Sequence, residues 1–266
     1  MSYQSILHGC DDIIDGFFGV TEAGKYQRYG TRTTYLLHDL ETRTGDPLKL
    51  LGDLHARVTE NWTDRAYRKV PSGQNWRCKY NVDYKQDRKG LEVKLEREIV
   101  KAMGVGKWMN NVPTASGCCG PSHDKARNID LVHRLLPDTF TFIELKWRSN
   151  TPVFAAIEIL LRGVLNCFTR LHLDEMNYGA EQLPMLTVPH VELRVLAPHS
   201  YYHRDVICLR WLEEKLNFGL SQYARRFGKA GVTLDFAFES FSDTLVDPFI
   251  SDAVRGAMAL RTRAYP

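Results

Sequence analysis

An aspartate and a Glu-Leu-Lys triplet, each set in an apolar run, are the residues of this sequence best suited to do chemistry. Asp130 interrupts Ile129, Leu131 and Val132, while Glu144 and Lys146 interrupt residues 140–147, which are otherwise apolar apart from one threonine. Runs of this length predict two strands, and Leu136, Pro137, Asp138 and Thr139 between them read as a tight turn, so the pair forms a hairpin. Alternation puts Glu144 and Lys146 on one side of their strand, and the hairpin can bring Asp130 beside them. Two carboxylates and one ammonium then meet where unpaired charge is costly. Carboxylates about 4 Å apart repel by roughly 4 kcal/mol at an effective dielectric of about 20, and one lysine offsets only part of this. A divalent cation resolves the remainder. Oxygen ligands without cysteine or histidine at metal spacing suit Mg2+, with Mn2+ as substitute, better than Zn2+. An ion so held polarises a phosphodiester and acidifies a water, while lysine stabilises developing charge, so phosphodiester hydrolysis is the expected reaction class.

These residues resemble the PD-(D/E)xK nuclease superfamily, which includes restriction enzymes, junction resolvases and recombination nucleases. The resemblance implies a restriction-endonuclease-like α/β fold, a mixed central sheet flanked by helices. It also implies Asp130 and Glu144 as metal ligands and Lys146 as the group that orients water or stabilises charge. Ile129 stands where the family's name has a proline, a departure that many members share. Glu144 and Lys146 as an exposed surface pair, worth at most about 1 kcal/mol, is the competing structural account.

Helices must supply the rest of the site. Leu91, Leu95, Ile99 and Met103 recur at helical spacing before Gly104, and Glu96 lies three, four and seven residues before Ile99, Val100 and Met103, beside the buried stripe. The segment beginning at Glu96 is similar to the first helix of archaeal Holliday-junction resolvases, which implies Glu96 as a third metal ligand. Glu98, in line with Leu91 and Leu95, is its competitor and Glu92 a third choice. Downstream, Thr151-Pro152 predicts the cap and first turn of a helix over residues 153–171. Glu158 on it lies among apolar neighbours, either reaching the active site or pairing with Arg162 at i+4.

The remaining sequence predicts scaffold. Residues 106–112 are the likeliest extra strand; residues 190–197 and 232–238 alternate as strands, and residues 205–227 have helical spacing. This order fits an α/β layout with a nuclease core over residues 88–266. Residues 1–87 read as an N-terminal extension, mainly helical or irregular, with a helix over residues 47–59. Aromatics around Trp76, interleaved with Arg77, Lys79 and Lys85, suit base stacking and phosphate contact as well as ordinary packing.

The 266 residues are 44% hydrophobic and 25% charged, which excludes a disordered chain, and the net charge of +3 permits nucleic-acid binding without demanding it. Arg127, Arg134, Arg148 and Arg204 are candidate phosphate contacts. Six cysteines form no regular framework, and the N-terminal residues lack a signal-peptide layout, so a cytoplasmic protein with reduced thiols is expected. Glu158 and Arg162 interrupt the most apolar stretch, residues 153–168, so no membrane span is expected. Cys118, Cys119 and His123 carry zinc-binding atoms, but adjacent cysteines rarely close one tetrahedral site. That stretch reads as a loop beside substrate, with His123 or His133 as candidate assistants. The expectation is a Mg2+-dependent nuclease acting on DNA, with the question of a homodimer left open. Its rival is a non-catalytic nucleic-acid-binding or assembly subunit that keeps the fold.

Overall fold

Alternating apolar residues build a six-stranded mixed sheet in sequential order. Strands β1 (Trp108–Pro113), β2 (Asn128–Leu136) and β3 (Thr139–Leu145) form an antiparallel meander. Strands β4 (His190–Pro198) and β5 (Thr233–Phe241) add in parallel, and the short β6 (Thr262–Arg263) closes the far edge antiparallel. Helices are α1 (Cys10–Phe17), α2 (Pro47–Thr63), α3 (Leu91–Met103), α4 (Pro152–Leu171), α5 (Arg210–Phe227) and α6 (Ser251–Ala259), with a helical turn at His199–Tyr202. The computed structural model describes residues 5–19, 40–42, 44–64, 70–80, 90–104, 106–119, 128–179, 182–203, 208–228 and 231–265.

Each face of the sheet has its own apolar core. Val132, Phe142, Leu193 and Phe236 pack in a cluster with residues of α2, α4 and α5, while Leu131, Ile143, Leu145 and Leu196 pack with α3 and α6. Helix α4 starts where the sequence predicts: the Thr151 hydroxyl accepts from Phe154 N–H at 3.2 Å, and Pro152 occupies the first turn. It is long and apolar enough to cross a membrane by composition, yet its residues are packed inside the protein. Gly163 lets α4 lie close on β4, because a Cβ there would stand 2.7 Å from Leu193 Cδ1. That approach brings Glu158, five residues earlier on the same helix, down to the sheet.

The N-terminal elements share the first core. Ile6, Ile14, Leu51, Trp62 and Trp76 belong to the same buried cluster as Phe142 and Val153. Residues 72–80 run as a strap along the outer edge of β1: Ser72 N–H donates to Ser116 O, Trp76 N–H to Pro113 O, and Asn110 N–H to Lys79 O.

Several boundaries differ from expectation. β2 continues to Leu136 and β5 to Phe241, because ladder partners across the sheet extend them past the apolar runs. α6 and β6 had no periodic signal strong enough to predict them; α6 buries only Val254, Ala257 and Met258. Residues 204–207 and 81–89, which hold Arg204 and Lys85, lie outside the described residues, as do Arg127 and His123.

A polar knot crosses β4 and β5. Arg194, 3% exposed, places Nη1 and Nη2 each 3.1 Å from the two Asp235 carboxylate oxygens and Nε 3.1 Å from Glu239 Oε1. Glu192 Oε1 stands 3.3 Å from Nη2, and its other oxygen accepts from the Thr141 hydroxyl at 2.8 Å. Arg261 adds a second guanidinium 2.8 Å from Glu239 Oε2.

Candidate functional site

The β2–β3 register pairs Leu131 with Ile143, and carried one residue further it sets Asp130 across from Glu144. On the other side of β2 the pairing is interrupted: β1 pairs on both flanks of Asn111 but not at it. Asn111 has φ 53°, a left-handed conformation that asparagine tolerates better than most residues. Asp130, facing that interruption, turns its carboxylate to the end of β3, where Oδ2 accepts from Leu145 N–H at 3.0 Å.

Lys146 lies one residue beyond β3 and remains buried at 5% exposure. Its Nζ donates to Glu144 Oε1 at 2.6 Å and to Glu158 Oε2 at 2.8 Å, and it lies 5.8 Å from the Phe154 ring centroid. Glu158 therefore joins the cluster from α4. The Nε of its expected alternative partner, Arg162, donates to Asn128 O at 3.3 Å, and the charge of this arginine is felt by Glu144.

Of the three acids on α3, Glu96 faces the cluster. Its Oε1 accepts from Asn110 Nδ2 at 2.9 Å, and it interacts electrostatically with both Glu144 and Asp130. Glu98 accepts from the Ser251 hydroxyl at the start of α6 and has Lys101 Nζ 3.6 Å away. Glu92 accepts from Trp147 N–H at 2.9 Å and the Ser149 hydroxyl at 2.6 Å.

Carboxyl groups outnumber cations here, and their acidity records it. Burial and the neighbouring Glu144 push Glu96 up to about 8, against the pull of its Asn110 bond. Asp130 is raised to about 7 by burial and Glu96, with Lys146 and Leu145 N–H opposing. Burial and Asp130 raise Glu144 to about 7 despite Lys146 and Arg162. Glu158 reaches about 7 through burial and Glu144, opposed by Lys146. For Lys146, burial alone would lower the ammonium, but Glu144, Glu158 and Asp130 outweigh it and hold it above the usual lysine value. Carboxyls clustered with one another protonate more readily because the charged forms are both desolvated and mutually repelling.

The donor chemistry of this cluster is carboxylate oxygen, which fits a hard divalent cation rather than zinc. Among the described residues, no three histidine, cysteine, aspartate or glutamate side chains are grouped as a metal site. The Lys146 ammonium lies between Glu144 and Glu158 and acts as their shared counter-charge.

Other sequence candidates lie elsewhere. Arg134 sits toward the hairpin turn, over the Phe140 ring and 3.4 Å from Pro137 O, and Arg148 is exposed just after Lys146. His133 stacks on Trp108 with centroids 4.3 Å apart, and burial, with Arg261 and Lys107 nearby, lowers it to about 4. Cys118 and Cys119 are buried, the latter donating weakly to Asn61 O at 3.4 Å. Arg77 and Tyr80 are exposed on the strap beside β1.

Sequence reasoning missed Asn110 and Tyr201. Asn110 could have been suspected from two consecutive polar residues, Asn110 and Asn111, inside an expected apolar strand. Tyr201 follows β4 with no spacing signal, yet it is 2% exposed; burial pushes its hydroxyl above the usual tyrosine value, within the fields of Lys146, Glu92, Glu144 and Glu158. No protein-family model, curated protein or solved structure matches this chain.

Proposed function

We propose that this chain is a Mg2+-dependent nuclease that hydrolyses phosphodiester bonds in DNA, built on a restriction-endonuclease-like core of the PD-(D/E)xK type. The observation that carries the reading is the gathering of Glu96, Asp130, Glu144 and Glu158 in one cluster at the end of β3, with Lys146 bonded to Glu144 and Glu158 and each carboxyl raised to about 7 or 8. Buried carboxyls arranged at the expense of their own ionisation are a feature of functional sites more than of structural ion pairs. The order helix, three strands, helix and strand, with Glu96 on α3, Asp130 on β2, Glu144 on β3, Lys146 just beyond it and Glu158 on α4, also suits that core.

Asp130, Glu144 and Glu96 would hold the ion, and Mn2+ would substitute. The bound ion would polarise the scissile phosphate and supply a water nucleophile at neutral pH. Asp130 is fixed for this role by its bond from Leu145 N–H, and Glu96 by Asn110. With Glu144, Glu158 and Asp130 holding its ammonium above the usual lysine value, Lys146 would contribute positive charge beside the reacting phosphate. Glu158 orients that ammonium from the opposite side. The mild basic excess of the chain and the exposed Arg148 suit a polyanionic substrate.

A second reading is a nucleic-acid-binding or assembly subunit without catalysis. The Lys146 bridge favours it, since Glu144 and Glu158 satisfy the ammonium as a structural ion pair would. Incubating purified protein with DNA and with RNA, with Mg2+, Mn2+ or excess chelator, separates the two. Cleavage of DNA that needs the metal and is lost in Asp130→Asn supports the nuclease. Cleavage that persists in chelator contradicts the metal mechanism, and binding without cleavage or calorimetric uptake of Mn2+ leaves the binding subunit.

A further inference from the structure

Lys146 is placed by the connection that follows it. Residues 147–150 join β3 to the α4 cap at Thr151, and they are held from two sides. From α3, Glu92 accepts Trp147 N–H at 2.9 Å and the Ser149 hydroxyl at 2.6 Å. From the helical turn after β4, the buried Tyr201 donates its hydroxyl to Ser149 O at 3.3 Å. Lys146 N–H itself donates to Leu196 O at 2.9 Å, continuing the β3–β4 ladder by one residue. The Trp147 ring is packed against Phe241 and Phe249, with centroids 6.2 and 5.2 Å away, and Asn150 takes φ 58° to redirect the chain into the helix.

The geometry has a chemical purpose. A lysine stem has four rotatable carbons, so its ammonium wanders unless the backbone beneath it is fixed. Here the backbone N–H of Lys146 and that of the next residue are bonded to different elements, Leu196 and Glu92. The ammonium can then span Glu144 and Glu158 at 2.6 and 2.8 Å.

We propose that Glu92 and Tyr201 form a two-sided clamp on this connection and are positioning residues for Lys146, with Glu92 serving as a backbone acceptor and not as a metal ligand. The catalytic consequence rests on the nuclease reading above; the placement of Lys146 does not. Loss of the Glu92 acceptor should let the connection drift and expose the ammonium. Gln at this position retains a carbonyl acceptor and should restore the placement without the charge.

The test is the acetylation rate of each lysine by acetic anhydride in metal-free protein, read by peptide mass spectrometry. Lys101, exposed on α3, and Lys215, on α5 with its Nζ donating to Thr44 O, serve as internal references. Glu92→Ala should speed Lys146 labelling at least ~10-fold while Lys215 keeps its wild-type rate, and Glu92→Gln should label Lys146 at the wild-type rate. Equal Lys146 rates in wild type and Glu92→Ala overturn the clamp. If Glu92→Ala loosens the whole fold, Lys215 accelerates too, and Tyr201→Phe decides instead. That single-oxygen deletion should raise Lys146 labelling by ~3-fold alone, and no change there overturns the proposal. Where the wild type cleaves DNA, Glu92→Ala should lower turnover ~10-fold with DNA affinity held within ~2-fold. A wild type that cleaves nothing removes the nuclease reading and leaves the labelling result standing.

Discussion

Two buried knots of charge lie on one sheet and are assembled in opposite ways. At β4–β5 a single guanidinium meets Asp235 in a two-pronged bond, reaches Glu239 through Nε and has Glu192 beside it, while Arg261 brings a second cation to Glu239. Planar arginine suits that geometry, and the carboxylates around it are ordered by bonds it supplies. At the end of β3, four carboxyls gather around one another with a single ammonium bonded to two of them, and all four are driven up to about 7 or 8. The first knot joins strands. The second carries electrostatic tension that a bound cation would relieve, and the proposed chemistry belongs there.

The two knots must therefore fail differently. Arg194→Met leaves three carboxylates facing one another without their main cation. Because Asp235 keeps half of its side chain in water, the expected loss lies at the low end for broken buried pairs, about 3 kcal/mol by denaturant unfolding. A loss below ~1 kcal/mol would make that knot ornamental. Lys146→Met keeps much of the stem's packing and deletes the charge. Single-turnover cleavage at saturating DNA and metal should fall at least ~100-fold, with DNA affinity changed far less. Wild-type turnover in this variant would make Lys146 a simple phosphate contact.

The pH dependence of stability sharpens the comparison further. Carboxyls whose folded values are raised contribute stability that is complete below ordinary carboxylate values and is lost as pH rises through about 7 and 8. Metal-free wild type should therefore lose on the order of 2 kcal/mol between pH 6.5 and 8.5. His55 and His133, lowered to about 4, oppose this slope, because their unfolded forms still shed protons at the start of the window, and each adds about 0.4 kcal/mol of stability across it. Chemical denaturation at each pH checks this; a flat profile would mean that the cluster is better compensated than its geometry shows. The smallest effect is Asp130→Asn, which keeps an oxygen for Leu145 N–H while removing one charge. At pH 8.5 its metal-free stability should match or exceed wild type by up to about 1 kcal/mol, and a clear loss would show that Asp130 is held by an unrecognised cation.

What the sequence discloses of this site follows from periodicity. Glu144 and Lys146 are two residues apart in a run of strand formers, so alternation alone aligns them, and a short turn brings Asp130 opposite. Helical offsets favour Glu96 over Glu98 but leave both on the buried side of α3, and apolar neighbours flank Glu158 without choosing between the site and Arg162; the sheet's register makes both choices. Asn110 and Tyr201 escape such reasoning because their partners are distant in the chain and set by the register of the sheet. Tyr201 meets Ser149 only after β4 has paired beside β3. The N-terminal elements escape it for a related reason: Trp62 and Trp76 are fully buried, but against residues far along the sequence. The coarse α/β layout is legible because each strand and long helix carries its own pattern; α6, with three buried residues, does not.

The strap along β1 has a colloidal consequence. An uncovered outermost strand offers its free N–H and C=O groups to any other extended chain, and edge-to-edge association between molecules follows. Here Trp76 and Asn110 take part in bonds that occupy that edge, and the indole of Trp76 is sunk completely in the core as an anchor. Asn110 is also the residue whose side chain holds Glu96. A nick or truncation that released residues 72–80 would therefore make the protein sticky and, through the same asparagine, disturb its acidic centre.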